Sequence, residues 1–152
     1  MFKRARAAGF PMLGGVDFYV TSAGRQLRAH YWAAQQPALD PDHQHGPSAL
    51  LPVAQAMSEA ATIVILPGFT EFCEKYSAGV LQCREKGCHV LVIDWPGQGQ
   101  SGHFGRHPLA VHCTDFDHHL SALDAVVSAV GLDEHELVLF GHSMGGHLAL
   151  RY

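Results

Sequence analysis

The sequence predicts an α/β fold in which a mostly parallel sheet is preceded by an antiparallel hairpin. Three observations carry this prediction. Residues 62–66, 90–93 and 137–140 are short apolar runs without polar alternation, as in strands buried on both faces. Segments of helical pattern separate these runs, so strand, helix, strand, helix and strand follow in order and imply right-handed crossovers. The 152 residues are 47% hydrophobic and 16% charged, which is enough apolar material for a packed core.

The elements follow from the N-terminus. Met1-Phe2-Lys3-Arg4-Ala5-Arg6 is basic, but Ala7-Ala8-Gly9-Phe10-Pro11 is too short for the apolar core of a signal peptide. Val16 to Thr21 alternate and are rich in β-formers, Ser22-Ala23-Gly24-Arg25 supplies a turn, and Gln26 to Trp32 form the returning strand. Between Gln35 and Ala61, Pro37, Pro41, Gly46, Pro47 and Pro52 interrupt regular structure. A loop insertion is expected there, with a short helix over Val53 to Ala60. The strand Thr62 to Leu66 is closed by Pro67-Gly68, and a helix is predicted over Lys75 to Lys86, ended by Gly87. Val90 to Ile93 is the next strand, closed by Asp94-Trp95-Pro96-Gly97. Asp115 to Val130 then carries Phe116, Leu120, Leu123, Val127 and Val130 at helical spacing, up to Gly131. Leu137 to Phe140 is the last strand, closed by Gly141.

Composition excludes several classes. A formal net charge of −4 argues against a nucleic-acid binder, whose domain would normally carry a basic face. No stretch approaches the ~18 uncharged apolar residues of a transmembrane helix, so a soluble, cytoplasmic protein is expected. Cysteines at positions 73, 83, 88 and 113 contain no Cys-x-x-Cys pair and read as free thiols of a reducing compartment. Twelve histidines raise the question of a metal, with His103, His107 and His112, or Cys83, Cys88 and His89, as ligands. Neither set has the short paired spacing of zinc sites, and His43, His45, His103 and His107 lie among loop residues, so surface histidines are expected and no metal. His118 and His119 are neighbours in a helical pattern, point about 100° apart, and cannot chelate as a pair.

The segment that carries chemistry is Gly141-His142-Ser143-Met144-Gly145-Gly146, placed between a predicted strand and a predicted helix. A Gly-x-Ser-x-Gly turn in that context is a nucleophile elbow: a strained serine exposes its hydroxyl above the sheet. With eight serines and 16 glycines in 152 residues, chance alone places about 0.09 such motifs in the chain. Ser143 is the candidate nucleophile. An acyl transfer also needs donors where the oxyanion forms. The backbone N–H of Met144 is one candidate; the other is the N–H of Phe69, in the loop Pro67-Gly68-Phe69-Thr70-Glu71-Phe72. Gly97-Gln98-Gly99-Gln100-Ser101-Gly102 matches the Gly-x-Gly-x-x-Gly pattern of dinucleotide binders. That pattern needs a helix opening within it to hold a pyrophosphate, and His103-Phe104-Gly105-Arg106-His107-Pro108 follows instead.

These blocks resemble the α/β-hydrolases of the lysophospholipase and monoacylglycerol lipase type, the serine aminopeptidase S33-like family. Leu66 to Tyr76 looks like the family's oxyanion loop and first helix, with Pro67-Gly68 where many members carry His-Gly. Asp94-Trp95-Pro96-Gly97-Gln98-Gly99-Gln100-Ser101 is similar to its D-x-x-G-x-G-x-S loop, and Gly141 to Gly146 to its elbow. The resemblance runs from Gly15 to Tyr152, apart from the loop at Gln35 to Ala61. It implies an α/β-hydrolase fold and hydrolysis of a carboxylic ester, a lysophospholipid or a monoacylglycerol, through an acyl-enzyme on Ser143 without a cofactor. A lipid ester would bring peripheral contact with a membrane surface; no specific protein partner follows.

In this fold the acid and then the base come after the serine. Nine residues follow Ser143 and none is acidic, while His147 stands one helical turn on and points from the helix wall. His142 is directed elsewhere by the turn. The expectation is therefore the N-terminal part of a single hydrolase domain, ending after the elbow, with the triad's acid and base missing from this chain. The alternative is an inactive fragment or binding module of the same fold. The strand at Leu137 to Phe140 would then be an apolar sheet edge, with poor solubility as the consequence.

Overall fold

A computed structural model of the chain describes residues 14–35, 61–103, 113, 115–132 and 137–152. Strands β1 (Val16–Ser22) and β2 (Arg25–Trp32) form the expected hairpin, in register from Val16 opposite Tyr31 to Ser22 opposite Arg25. Ala23 and Gly24 between them have φ of 48° and 72°. Positive φ at both central residues matches the strand twist in a two-residue hairpin loop.

Strands β3 (Thr62–Leu66), β4 (His89–Ile93) and β5 (Leu137–Gly141) are parallel, with β3 between the other two. The hairpin joins antiparallel through β2 and β4, so the sheet runs β1-β2-β4-β3-β5. Three helices accompany it: α1 (Ser77–Glu85), α2 (Asp117–Val130) and α3 (Met144–Arg151). The helix predicted from Lys75 opens as a tighter 3-10 turn over Cys73–Tyr76, because the Cys73 N–H donates to the Asp94 carboxylate at 2.7 Å and holds the entry turn against the next loop. Helix α2 starts two residues later than predicted, where the Asp115 carboxylate accepts the Asp117 N–H at 3.0 Å, and stops at Gly131 as expected.

The sheet carries apolar side chains on both faces. Leu27, Ala29, Val64, Leu66, Leu91 and Ile93 face α2 and α3, meeting Ala122, Leu123, Val126, Val127 and Leu148. Val90, Val92, Ile65 and Trp32 face the other way and meet Val80 and Cys73. Burial on two sides explains why β3 and β4 read as unbroken apolar runs. The same expectation fails for β5. Leu137 and Leu139 pack into the core, but Val138 and Phe140 are 51% and 56% exposed. Among the described residues β5 is an edge strand, so one of its faces has no covering helix; the apolar edge is as expected.

Two further expectations need correction. Phe116 precedes α2 and is largely exposed, while the buried stripe runs through His119, Ala122, Leu123, Val126 and Val127. Histidines are also found inside: His30, His89 and His119 are buried. His89 Nδ1 accepts from the Ala34 N–H at 3.2 Å and from Tyr31 Oη at 2.7 Å, and the His119 ring lies against Trp95, so ring contacts and partners offset part of the loss of water. All four cysteines are free thiols. No described helix is long and apolar enough to cross a membrane. The loop insertion with its short helix, and His43, His45, His107 and His112, lie outside the described residues.

Candidate active site

Only His142 and Ser143 separate the end of β5 from the start of α3. Ser143 has φ 51° and ψ −116°, a left-handed conformation that costs a non-glycine residue about 1–3 kcal/mol. Hydrogen bonds on each side hold it there. The His142 N–H donates to Leu66 O at 3.1 Å, the Gly145 N–H to His142 O at 2.9 Å, and the His147 N–H to Ser143 O at 3.2 Å. The two motif glycines are needed for close approach. A Cβ at Gly141 would stand 2.5 Å from Gly145 O, and one at Gly145 would overlap Leu66 O. The first turn of α3 thus lies directly on the end of β3, beside the loop at residues 67–72. Ser143 itself is exposed.

That loop is fastened at several points. Trp95 Nε1–H donates to Pro67 O at 2.7 Å. The Gly68 N–H donates to Glu71 Oε2 at 2.6 Å, and the Thr70 N–H donates to Gln98 Oε1. Between them, the Phe69 N–H has no hydrogen-bond partner among the described residues. The Met144 N–H, at the first position of α3, has none either.

Glu71 is the residue that sequence reasoning missed. Its side chain is buried and accepts from the Gly68 N–H, from Lys75 Nζ and from Tyr76 Oη at 2.5 Å. His142 Nδ1 lies 2.9 Å from the same Oε2. Burial pushes the carboxyl pKa up, but bonds from Lys75, Tyr76, Gly68 and His142 outweigh it and hold it at about 2. An ionised carboxylate only accepts, so His142 Nδ1 carries the proton and donates. The pattern visible in sequence is an acid three residues after a loop glycine, followed by Lys-Tyr at four and five residues.

Behind this loop, residues 94–102 form a closed unit. Asp94 is fully buried; its carboxylate accepts from the Cys73 N–H at 2.7 Å, the Gln100 N–H at 2.8 Å and Arg28 Nη1 at 3.2 Å. Ser101 Oγ donates to Asp94 O and accepts the Arg28 N–H at 2.8 Å. The Gly97 N–H donates to Gly102 O, and the Gly102 N–H to Gln26 O, which ties the loop to β2. No helix opens within it, so the Gly-x-Gly-x-x-Gly pattern is a structural turn here. Burial pushes the Asp94 pKa up, against the opposing bonds and the Arg28 charge.

Neither nearby imidazole reaches the serine. His142 is bonded to Glu71, and the His147 ring packs on Phe116 at 5.3 Å. Among the described residues no imidazole hydrogen-bonds the Ser143 hydroxyl.

Residues 57–152 match the family model described as serine aminopeptidase, S33. The chain belongs to this hydrolase family. Over 92 residues it is 30% identical to phospholipase YtpA of Bacillus subtilis (strain 168), an alignment covering 60% of this chain and 34% of that protein. The fold is that of α/β-hydrolases. An α/β-hydrolase from Novosphingobium aromaticivorans superposes with a TM-score of 0.65 at 19% identity, over 93% of this chain and 40% of that one. A thioesterase domain from the curacin biosynthetic pathway gives 0.64 at 20%, over 91% and 40%. An epoxide hydrolase of Vigna radiata gives 0.64 at 15%, over 92% and 34%. The chain therefore spans between a third and two fifths of these proteins.

Proposed function

We propose that this chain carries the acylation machinery of a serine ester hydrolase. Ser143 Oγ adds to the carbonyl of a carboxylic ester while its proton passes to a base. The Phe69 and Met144 N–H groups receive the oxyanion, the bond to the alcohol breaks, and the alcohol leaves with a proton. Water then adds to the acyl-enzyme and releases the acid. The observation that carries this reading is the strained, exposed Ser143 in the turn between β5 and α3, supported by the Phe69 and Met144 N–H groups, which no described residue takes. The base must come from outside the described residues, since none of their imidazoles bonds the serine.

A lysophospholipid or monoacylglycerol is the proposed substrate class. The likeness to phospholipase YtpA supports a lipid ester, and so does the apolar surface of the half-exposed Phe69 side chain in the 67–72 loop. A cytoplasmic location with peripheral contact to lipid goes with this reading, given four free thiols and no membrane-crossing helix among those described.

The test uses the protein expressed from its full reading frame. Ser143→Ala is expected to abolish fluorophosphonate labelling and to lower turnover of monoacylglycerol by at least about a thousandfold. Turnover unchanged in Ser143→Ala would refute the assignment. Labelling retained by the wild type without any ester turnover would favour a binding module of the same fold.

A further inference from the structure

We propose that Glu71 is a positioning residue for the oxyanion site, working with Gln98 as the two sides of a clamp on the 67–72 loop. The inference rests on the serine hydrolase reading and concerns which backbone donor that loop leaves free.

Three successive N–H groups, those of Gly68, Phe69 and Thr70, leave the end of β3. Glu71 takes the first and Gln98 takes the third. Thr70 sits at φ 62°, an uncommon conformation for a non-glycine residue, and its N–H is tied to Gln98. Phe69 is left as the loop's uncommitted donor. A preorganised donor raises rate because it needs no reorientation when charge develops on the substrate oxygen. Gln98 is itself buried at 3% exposure, so its amide oxygen cannot swing to water.

Glu71 also links the loop to the elbow. Oε2 receives both the Gly68 N–H and the His142 Nδ1–H, the latter from 71 residues further along the chain than Glu71 itself. The residue before the donor-bearing Phe69 and the residue before the nucleophile are thereby set by the same oxygen. A carboxylate near a developing oxyanion would be unfavourable on its own, but Lys75 and His142 face it and Tyr76 donates to it. Oε1 faces only Lys75, whose side chain is half exposed.

That division of labour makes the test specific. In Glu71→Gln the amide oxygen can take the Oε2 place and keep the Gly68, Tyr76 and His142 bonds, while its NH2 faces Lys75, whose half-exposed ammonium has room to turn to water. Glu71→Ala loses all of them. In the full-length protein, Glu71→Ala is expected to lower kcat by about 30- to 100-fold with KM within about threefold, and Glu71→Gln to stay within about fivefold of wild type. Gln98→Ala frees the other side and should lower kcat about tenfold. Inhibition by an alkyl boronic acid, a tetrahedral adduct on serine, should weaken in parallel with kcat across the series, while melting temperatures do not follow that order. A folded Glu71→Ala or Gln98→Ala with wild-type kcat overturns the proposal, as does boronate affinity unmoved by a loss of kcat. A tenfold or greater loss in Glu71→Gln also overturns it, and keeps the test decisive if Glu71→Ala does not fold. Ser143→Ala serves as the control: if it remains active the serine reading fails, whereas an inactive Ser143→Ala beside fully active Glu71 variants sinks only this proposal.

Discussion

Two glycine-bearing loops leave the carboxyl ends of the neighbouring strands β3 and β4, and they use hydrogen bonds to opposite ends. In the loop after β4, Asp94 and Ser101 draw the chain in upon itself, and Arg28, Cys73 and Gln100 saturate the buried carboxylate. In the loop after β3, Glu71 and Gln98 capture the donors on either side of Phe69 and leave that one open. Both loops contain a buried acid. The difference lies in what each acid does with the donors around it: Asp94 gathers them to close its loop, whereas Glu71 takes the Gly68 N–H and leaves the neighbouring Phe69 N–H open. A glycine-rich motif is therefore read better from its unpaired donors than from its glycine spacing.

Breaking the β4 loop should give the larger effect on stability. Asp94→Ala removes the acceptor for the buried Cys73 N–H and the part-buried Gln100 N–H and leaves Arg28 facing Asp17 and Glu74. The expected cost is about 3–5 kcal/mol in urea unfolding, against a smaller loss for Glu71→Ala, whose principal damage is to kcat. An Asp94→Ala protein as stable as wild type would show that the two loops do not differ in this way.

The two acids also sharpen the contrast with pH. The Glu71 carboxyl is held at about 2, below its ordinary 4.5. A depressed folded value contributes stability that is present above pH ~4.5 and is lost as pH falls toward ~2. Glu71→Gln should flatten the stability curve over that interval, measured as unfolding midpoints at successive pH values. Asp94, whose value burial raises, has the opposite sign and cannot supply that acid limb. An unchanged acid limb in Glu71→Gln would remove Glu71 as its source.

The backbone of this fold was legible in the sequence, since unbroken apolar runs identify β3 and β4, and Ala23-Gly24 supplies the hairpin turn. Burial that depends on neighbours was not. Val138 and Phe140 look like core residues until β5 is seen to be an edge, and His89 and His119 look like surface residues until their partners are in place. At the site, Ser143, Phe69 and Met144 could be nominated because a local motif carries them. Glu71 could not, because its meaning depends on His142 arriving from the far end of the chain. Arg28 was hidden for the same reason: one strand position, with Asp17, Glu74 and Asp94 converging from three other segments.

The backbone at Ser143 has a consequence for selection. A residue at φ 51° and ψ −116° suits glycine and penalises every other side chain, so the protein is less stable with serine there than it could be. Ser143→Gly is expected to raise the unfolding free energy by about 1 kcal/mol, whereas Ser143→Ala, which keeps a Cβ, gives no such gain. Thermal unfolding of the two variants separates these outcomes, and equal midpoints would mean that the turn stores no strain. A side chain, and with it the hydroxyl, is retained at a position where glycine would make the chain sturdier, which is a trade of robustness for reactivity.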